Sequence, residues 1–178
     1  MIFYILIIVA FIGILLFISS KIRNAASAAF EPEQIDRENF QIYKPEGYLN
    51  PVEYTEKTPF EAYTREVGER AAGRLKKSVV KLTISDGLNF DNLRKEIKKD
   101  AQEFVSTEFD ENAPENQKIC IIETKKENDD EITTVILNKI VESRQQKKTY
   151  NLEISILEQA EDEYEDRINR MLNSFKVK

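Results

Sequence analysis

The apolar and polar positions divide the chain into a continuous apolar head and a long patterned remainder. Ile2 to Ile18 contains no charged residue, and Lys21 and Arg23 follow it closely. With Ser19 and Ser20 the run makes a helix of about 28 Å at about 1.5 Å per residue, close to the hydrocarbon thickness of a bilayer. A helix apolar on every face suits lipid better than one side of a globular core. Residues 1–20 are therefore expected to form a transmembrane anchor that contacts the bilayer through residues 2–18. A cleaved secretory signal would carry basic residues ahead of a shorter apolar run of about 7–15 residues. Here none precedes it, and the small-residue triplet Ala26-Ser27-Ala28 lies beyond Lys21 and Arg23. No Cys stands near the run to take a lipid. An uncleaved anchor is the reading.

Beyond the anchor the pattern becomes periodic. Residues 21–38 are small and charged and read as a tether interrupted by Pro32; residues 39–178 read as one globular domain. Phe40, Ile42 and Tyr43 predict a short strand closed by a turn at Pro45 and Gly47. Thr58-Pro59-Phe60-Glu61 has the form of a capping box. Phe60, Tyr63, Val67, Ala71 and Leu75 recur behind it at helical spacing, predicting a helix over 59–77 weakened by Gly68 and Gly73. Ser78 to Ser85 alternates as a strand bounded by Asp86-Gly87. Asp91 is placed to cap a second helix with apolar positions Leu93, Ile97, Ala101, Phe104 and Val105. A polar loop, FDENAPENQ, separates it from three strand-like runs, KICIIETK, EITTVILNKIVES and TYNLEISIL. Their connections, ENDD and RQQKK, are short enough for antiparallel hairpins. Glu161 to Phe175 closes the pattern as an amphipathic helix with Tyr164, Ile168, Met171, Leu172 and Phe175 on one side. The order predicts an α+β domain, an antiparallel sheet covered by helices.

Charge and chemistry narrow the function. All 26 Lys and Arg and all 32 Asp and Glu lie outside the apolar head, so the net charge of −6 belongs to the remainder. An acidic balance of that size argues against a nucleic-acid partner. The chain has no His, which removes the commonest general base and metal ligand together. Cys120, in Lys-Ile-Cys-Ile-Ile, reads as a packed small hydrophobe. No phosphate-cradling glycine loop or nucleophile elbow is present. Asp110-Glu111-Asn112 with Glu115, and Glu127-Asn128-Asp129-Asp130-Glu131, are rich in oxygen but lack the spacing and glycine of a calcium loop. They read as solvated turns. Two basic clusters, Arg70, Arg74, Lys76 and Lys77, and Arg94, Lys95, Lys98 and Lys99, are interspersed with Glu66, Glu69, Glu96 and Asp100 and read as ordinary solvated faces. No residue is assigned as catalytic, as cofactor-binding or as a metal ligand, and no cofactor is expected.

The order of these motifs resembles the photosystem II extrinsic P-protein (PsbP) family and its bacterial relatives. The resemblance is carried by Tyr43-Lys44-Pro45-Glu46-Gly47-Tyr48 after the first strand, by the strand, helix and meander over 78–178, by the Lys-Thr-Tyr strand, and by the ending Asn173-Ser174-Phe175-Lys176. It implies an α/β/α sandwich that binds and helps assemble larger complexes. The family usually has Trp where Tyr48 stands, and strands where the periodicity here predicts the helix 59–77. It also implies an extracytoplasmic domain, whereas Lys21, Arg23 and Arg37 behind the anchor favour the cytoplasmic side.

The expected function is thus a single-pass membrane protein with a non-enzymatic binding or assembly domain for a partner protein. Two alternatives have different signatures. A membrane-bound, carboxylate-dependent hydrolase requires a concave pocket holding two or more Asp or Glu. A self-associating structural protein would use the small residues Ala25 to Ala29 for close approach as a homo-oligomer.

Overall fold

The computed structural model describes residues 14, 17–19, 21, 28–51, 58–67, 75–128 and 131–178. Most of the apolar head falls outside this set. Among the described residues no helix is long and apolar enough to cross a membrane, and Ile14, Phe17, Ile18, Ser19 and Lys21 have helical geometry.

The described chain begins with strands β1 (Glu33–Asp36), β2 (Phe40–Lys44), β3 (Tyr48–Leu49), β4 (Phe60–Thr64), β5 (Glu66–Val67), β6 (Leu75–Lys76) and β7 (Ser78–Asp86). Helix α1 (Phe90–Asp100) follows, then β8 (Glu103–Phe109), β9 (Gln117–Glu127), β10 (Thr133–Ser143) and β11 (Lys148–Leu157). A 3-10 turn at Glu158–Ala160 leads into α2 (Glu161–Ser174), and β12 (Lys176–Val177) closes the order. Seven strands form one sheet in the order β3-β4-β7-β11-β10-β9-β8. A second sheet has the order β1-β2-β12, and among the described residues β5 pairs with β6 alone. Every strand pairing among the described residues is antiparallel.

The two faces of the large sheet follow from alternation along its strands. Tyr150, Leu152, Ile154 and Ile156 of β11 are buried with Val80 and Leu82 of β7 and Phe60 and Ala62 of β4. Against this face pack α2, through Tyr164, Ile168, Met171 and Leu172, and the small sheet, through Ile35, Phe40 and Ile42. Full burial of one such aliphatic side chain contributes about 1.5–3 kcal/mol, so this layer holds the domain together. The opposite face carries a smaller cluster in which Phe90, Leu93 and Ile97 of α1 cover Cys120, Ile122 and Ile140.

Polar groups inside this frame are spent on specific joints. The Tyr48 hydroxyl donates to Ser78 Oγ at 2.9 Å, and the Ser78 amide donates to Thr64 Oγ1 at 3.0 Å. This stitches β3, β4 and β7 at one corner. Lys139 reaches from β10 to the end of α2, where Nζ donates to the carbonyls of Leu172 at 2.6 Å and Phe175 at 3.1 Å. A cation there answers the unpaired carbonyls of a helix C-terminus. Burial lowers the Lys139 pKa below that of an ordinary lysine. Gly47, at φ +91°, makes the turn into β3 and donates its N–H to Phe30 O at 2.9 Å.

Several sequence expectations hold: the strand at 40–44, the strand from Ser78, the three-stranded meander and the closing helix. Others are corrected. The helix predicted over 59–77 is not present: 60–64, 66–67 and 75–76 are strands, and residues 68–74 lie outside the described set. Phe60, Ala62 and Thr64 are buried at a period of two, and pairing with β7 overrides the helical spacing of Phe60, Tyr63 and Val67. Thr58 to Glu61 is therefore no capping box, since Glu61 sits mid-strand opposite Lys81. The second helix ends at Asp100, and Phe104 and Val105 belong to β8. Asp91 does not cap α1: Asn89 holds the cap position without a side-chain bond, and the Phe90 N–H is received by Glu142 Oε2 at 3.0 Å from β10. Finally, β1 falls inside the stretch read as a tether, so that stretch ends in sheet structure.

Candidate functional site

The most exposed apolar surface of the domain lies where α1 meets β8. After Asp100 the chain leaves the helix through Ala101 and turns into an aromatic and β-branched segment, Glu103-Phe104-Val105-Ser106-Thr107-Glu108-Phe109. Its pairing to β9 slips between Phe104 and Ser106, so Val105 is an extra residue in a bulge. Phe104 and Phe109 lie opposite Thr124 and Cys120, on the face that α1 covers. Yet Phe104, Val105 and Phe109 are 47, 41 and 54% exposed. Among the described residues no strand lies beyond β8, so a seven-residue edge presents its outer backbone groups together with three large apolar side chains. Natural edges are usually short, charged or covered, because an open one is a template for another strand.

Cations of α1 line this edge. Lys98 Nζ stands 4.4 Å from the centre of the Phe104 ring, and the Arg94 guanidinium 4.5 Å from that of Phe109. Arg94 Nη1 also donates to Asp91 Oδ1 at 3.0 Å, while its Nε is buried without a hydrogen-bond partner among the described residues. Such cation–ring pairs contribute about 0.5–1 kcal/mol at exposed sites. A cleft of about 420 Å³ continues the surface between Arg94, Phe109, Pro114 and Lys118. The seat of α1 is set by Glu142, 3% exposed, which receives the Phe90 amide and has Lys118 Nζ 3.9 Å from its other oxygen.

The residues singled out in the sequence are spread over this frame. Of the second basic cluster, Arg94 and Lys98 flank the edge strand. Of the first, Lys76 Nζ lies 3.7 Å from the centre of the Tyr63 ring, Lys77 pairs with Glu163 at 2.6 Å, and Arg70 and Arg74 lie outside the described residues. Cys120 is fully buried beneath α1, and burial pushes its thiol up to about 11. The Asp110 to Glu115 turn joins β8 to β9, with Asp110 Oδ1 accepting from the Asn112 amide at 2.9 Å. Asn128 Oδ1 accepts from the Ile132 amide at 2.9 Å, and Asp129 and Asp130 are outside the described residues. Among the described residues no three Asp, Glu or Cys side chains converge on one metal position. Sequence reasoning missed β8. Its enrichment in Phe, Val and Thr behind the Ala101-Gln102 break was the available signal.

No protein-family model matches the chain, and neither does any curated protein. Solved structures do. Cyanobacterial PsbP (CyanoP) from Synechocystis sp. PCC 6803 superposes with a TM-score of 0.55 at 12% identity, over 84% of this chain and 94% of that one. LpqN of Mycobacterium tuberculosis, involved in cell envelope biogenesis, gives 0.54 at 8% identity over 83% and 90%. The Saccharomyces cerevisiae Ran-binding protein Mog1p gives 0.48 at 9% identity over 83% and 96%. The chain has a PsbP-like fold.

Proposed function

We propose that this protein is a membrane-tethered, non-enzymatic binding domain whose β8 edge takes up an extended segment of a partner protein. The observation that carries the reading is the edge itself: seven residues of strand with no neighbour beyond them among the described residues, and Phe104, Val105 and Phe109 about half exposed along it. Strand addition would supply main-chain hydrogen bonds, and the two rings with their flanking cations would select alternate side chains of the incoming segment. Arg94 and Lys98 favour a segment with acidic residues among apolar ones. The membrane attachment is inferred from the apolar run Ile2 to Ile18, and the cytoplasmic side from Lys21, Arg23 and Arg37.

The hydrolase alternative is the weaker reading. Glu96 and Asp100 are exposed to water rather than held in the dry setting that general-acid work asks of a carboxylate.

The test is site-specific photo-crosslinking in native membranes from a crosslinker at position 105, with one at the Lys147 turn as control. A discrete adduct from position 105, absent at 147 and lost in Phe104→Ser/Phe109→Ser, is the expected result. An adduct to a second copy would make the edge a homo-oligomer interface. No adduct, or equal adducts at both positions, would defeat the edge reading. Sidedness is tested by a single Cys at Lys126 in a Cys120→Ser background. Labelling by an impermeant thiol reagent only after lysis is expected, and labelling of intact cells would put the domain outside.

A further inference from the structure

A strand added at β8 would be read on both of its faces, because successive side chains of a strand point to opposite sides of the sheet. β8 itself is sorted in this way. Phe104, Thr107 and Phe109 stand opposite Thr124, Ile122 and Cys120, on the side that α1 covers. Glu103, Ser106 and Glu108 stand opposite Lys125, Glu123 and Ile121, on the side of α2. On that second side a groove of about 240 Å³ runs inward from Ser106 and Glu108, across β9 and β10, to α2. Ile121, Leu137 and Ile168 make its floor apolar.

Charge divides between the two sides of the edge. Toward α1 it is flanked by Arg94 and Lys98. Toward α2 the groove is rimmed by Glu108 and Glu123 of the sheet and by Glu161 and Glu165, one turn apart on the helix; among the described residues no Lys or Arg lines it. Lys125, opposite Glu103, is held by Glu158 at 2.5 Å. Glu108 and Glu165 are exposed to water, so the rim is a solvated field rather than the dry carboxylates of an acid–base site. A second β8 is the wrong match for this edge. Paired antiparallel with its faces in line, it would add its own Glu103 and Glu108 to the acidic side.

Given β8 as the docking strand, on which this rests, we propose that the partner segment is sorted by face: acidic and apolar residues at the positions that turn toward α1, and Lys or Arg at the alternate positions that turn toward α2. The aliphatic stem of such a Lys or Arg packs over Ile121, Leu137 and Ile168, and its head lies among the four rim carboxylates. The two opposite fields also fix the frame of docking. A slip of one residue carries every side chain to the other face, so that acids meet acids and cations meet cations.

The test is fluorescence anisotropy of three labelled peptides titrated with the full chain in neutral detergent at physiological ionic strength. The first alternates, Glu-Lys-Val-Lys-Glu-Lys-Val. The second has Thr in place of each Lys. The third, Glu-Glu-Lys-Lys-Val-Val-Lys, has the composition of the first but mixes its charges on both faces. The first should bind at least fivefold tighter than either of the others. Glu108→Gln/Glu165→Gln, both exposed and compatible with folding, should erase its lead over the second. Equal binding of the first and second, a third that binds as tightly as the first, or a lead that survives in the Gln variant would each overturn the sorting by face while leaving the edge in place. Absence of binding by all three, or binding unaffected by Phe104→Ser/Phe109→Ser, would instead overturn the edge reading and this inference with it.

Discussion

Replacing Glu142 tests how α1 is held to the sheet. Glu142 is almost fully buried, and its Oε2 accepts the first free amide of the helix at 3.0 Å. A hydrogen bond to a charged acceptor contributes about 1.5–3 kcal/mol, and a negative charge at a helix N-terminus adds about 0.3–1 kcal/mol. Lys118 at 3.9 Å adds little, because its side chain is 42% exposed. Removing the whole carboxylate also returns part of its desolvation cost, so Glu142→Ala should lose about 2 kcal/mol. Glu142→Gln keeps an acceptor and forfeits the charge, and should lose about 1 kcal/mol. Urea unfolding measures both. With a slope of about 2 kcal/mol per molar, the midpoints should fall by about 1 M and 0.5 M. Hydrogen exchange should rise first at the amides of α1, not across β10 and β11. If Glu142→Ala unfolds within 0.3 M of the parent, or Gln is as costly as Ala, the carboxylate is not what seats the helix.

Three further outcomes follow from buried groups and one strained turn. Burial raises the Tyr48 hydroxyl from 10.0 to about 12, so its protonated form is favoured by folding. The stability it lends is complete below pH 10 and lost between 10 and 12, about 1.4 kcal/mol per unit; the stability gap between the parent and Tyr48→Phe, measured in urea at pH 8 and 11, should therefore narrow, and a constant gap would contradict the assignment. Cys120, beneath α1 and with its thiol pushed up to about 11, should resist a soluble disulfide reagent at pH 8 until the protein opens; labelling should quicken in Glu142→Ala, and labelling of the native parent at the unfolded rate would refute the burial. Gly47→Ala should lower stability by about 1–2 kcal/mol from backbone strain at φ +91°, because its new methyl would meet only Arg167 Nη1 at 3.9 Å; thermal unfolding unchanged from the parent would show that the turn relaxes.

Where elements were long and their alternation unbroken, the sequence was readable. β9, β10 and β11 run for ten or eleven residues each and carry their own hairpin connections. β4 was misread because Phe60, Tyr63 and Val67 fall at helical spacing while Phe60, Ala62 and Thr64 fall at a period of two, and only the presence of β7 decides between them. β8 was hidden by its bulge: inserting Val105 shifts the alternation partway through the strand, so neither period fits. The support of α1 could not be read locally at all, since Glu142 and Phe90 are 52 residues apart.

The second sheet has a consequence for how the protein is made. Its middle strand, β2, is bounded by residues from opposite ends of the described chain, and the Tyr43 amide is held by Ser174, 131 residues later. Synthesis at about 5–20 residues per second puts about 7–26 s between the appearance of the two. Through that interval Phe40 and Ile42 have emerged while the helix and strand that bury them have not been built. The domain cannot close progressively behind the ribosome; it closes late and all at once. A nascent chain stalled before residue 160 should remain protease-sensitive and chaperone-bound, and one stalled well past residue 178 should not.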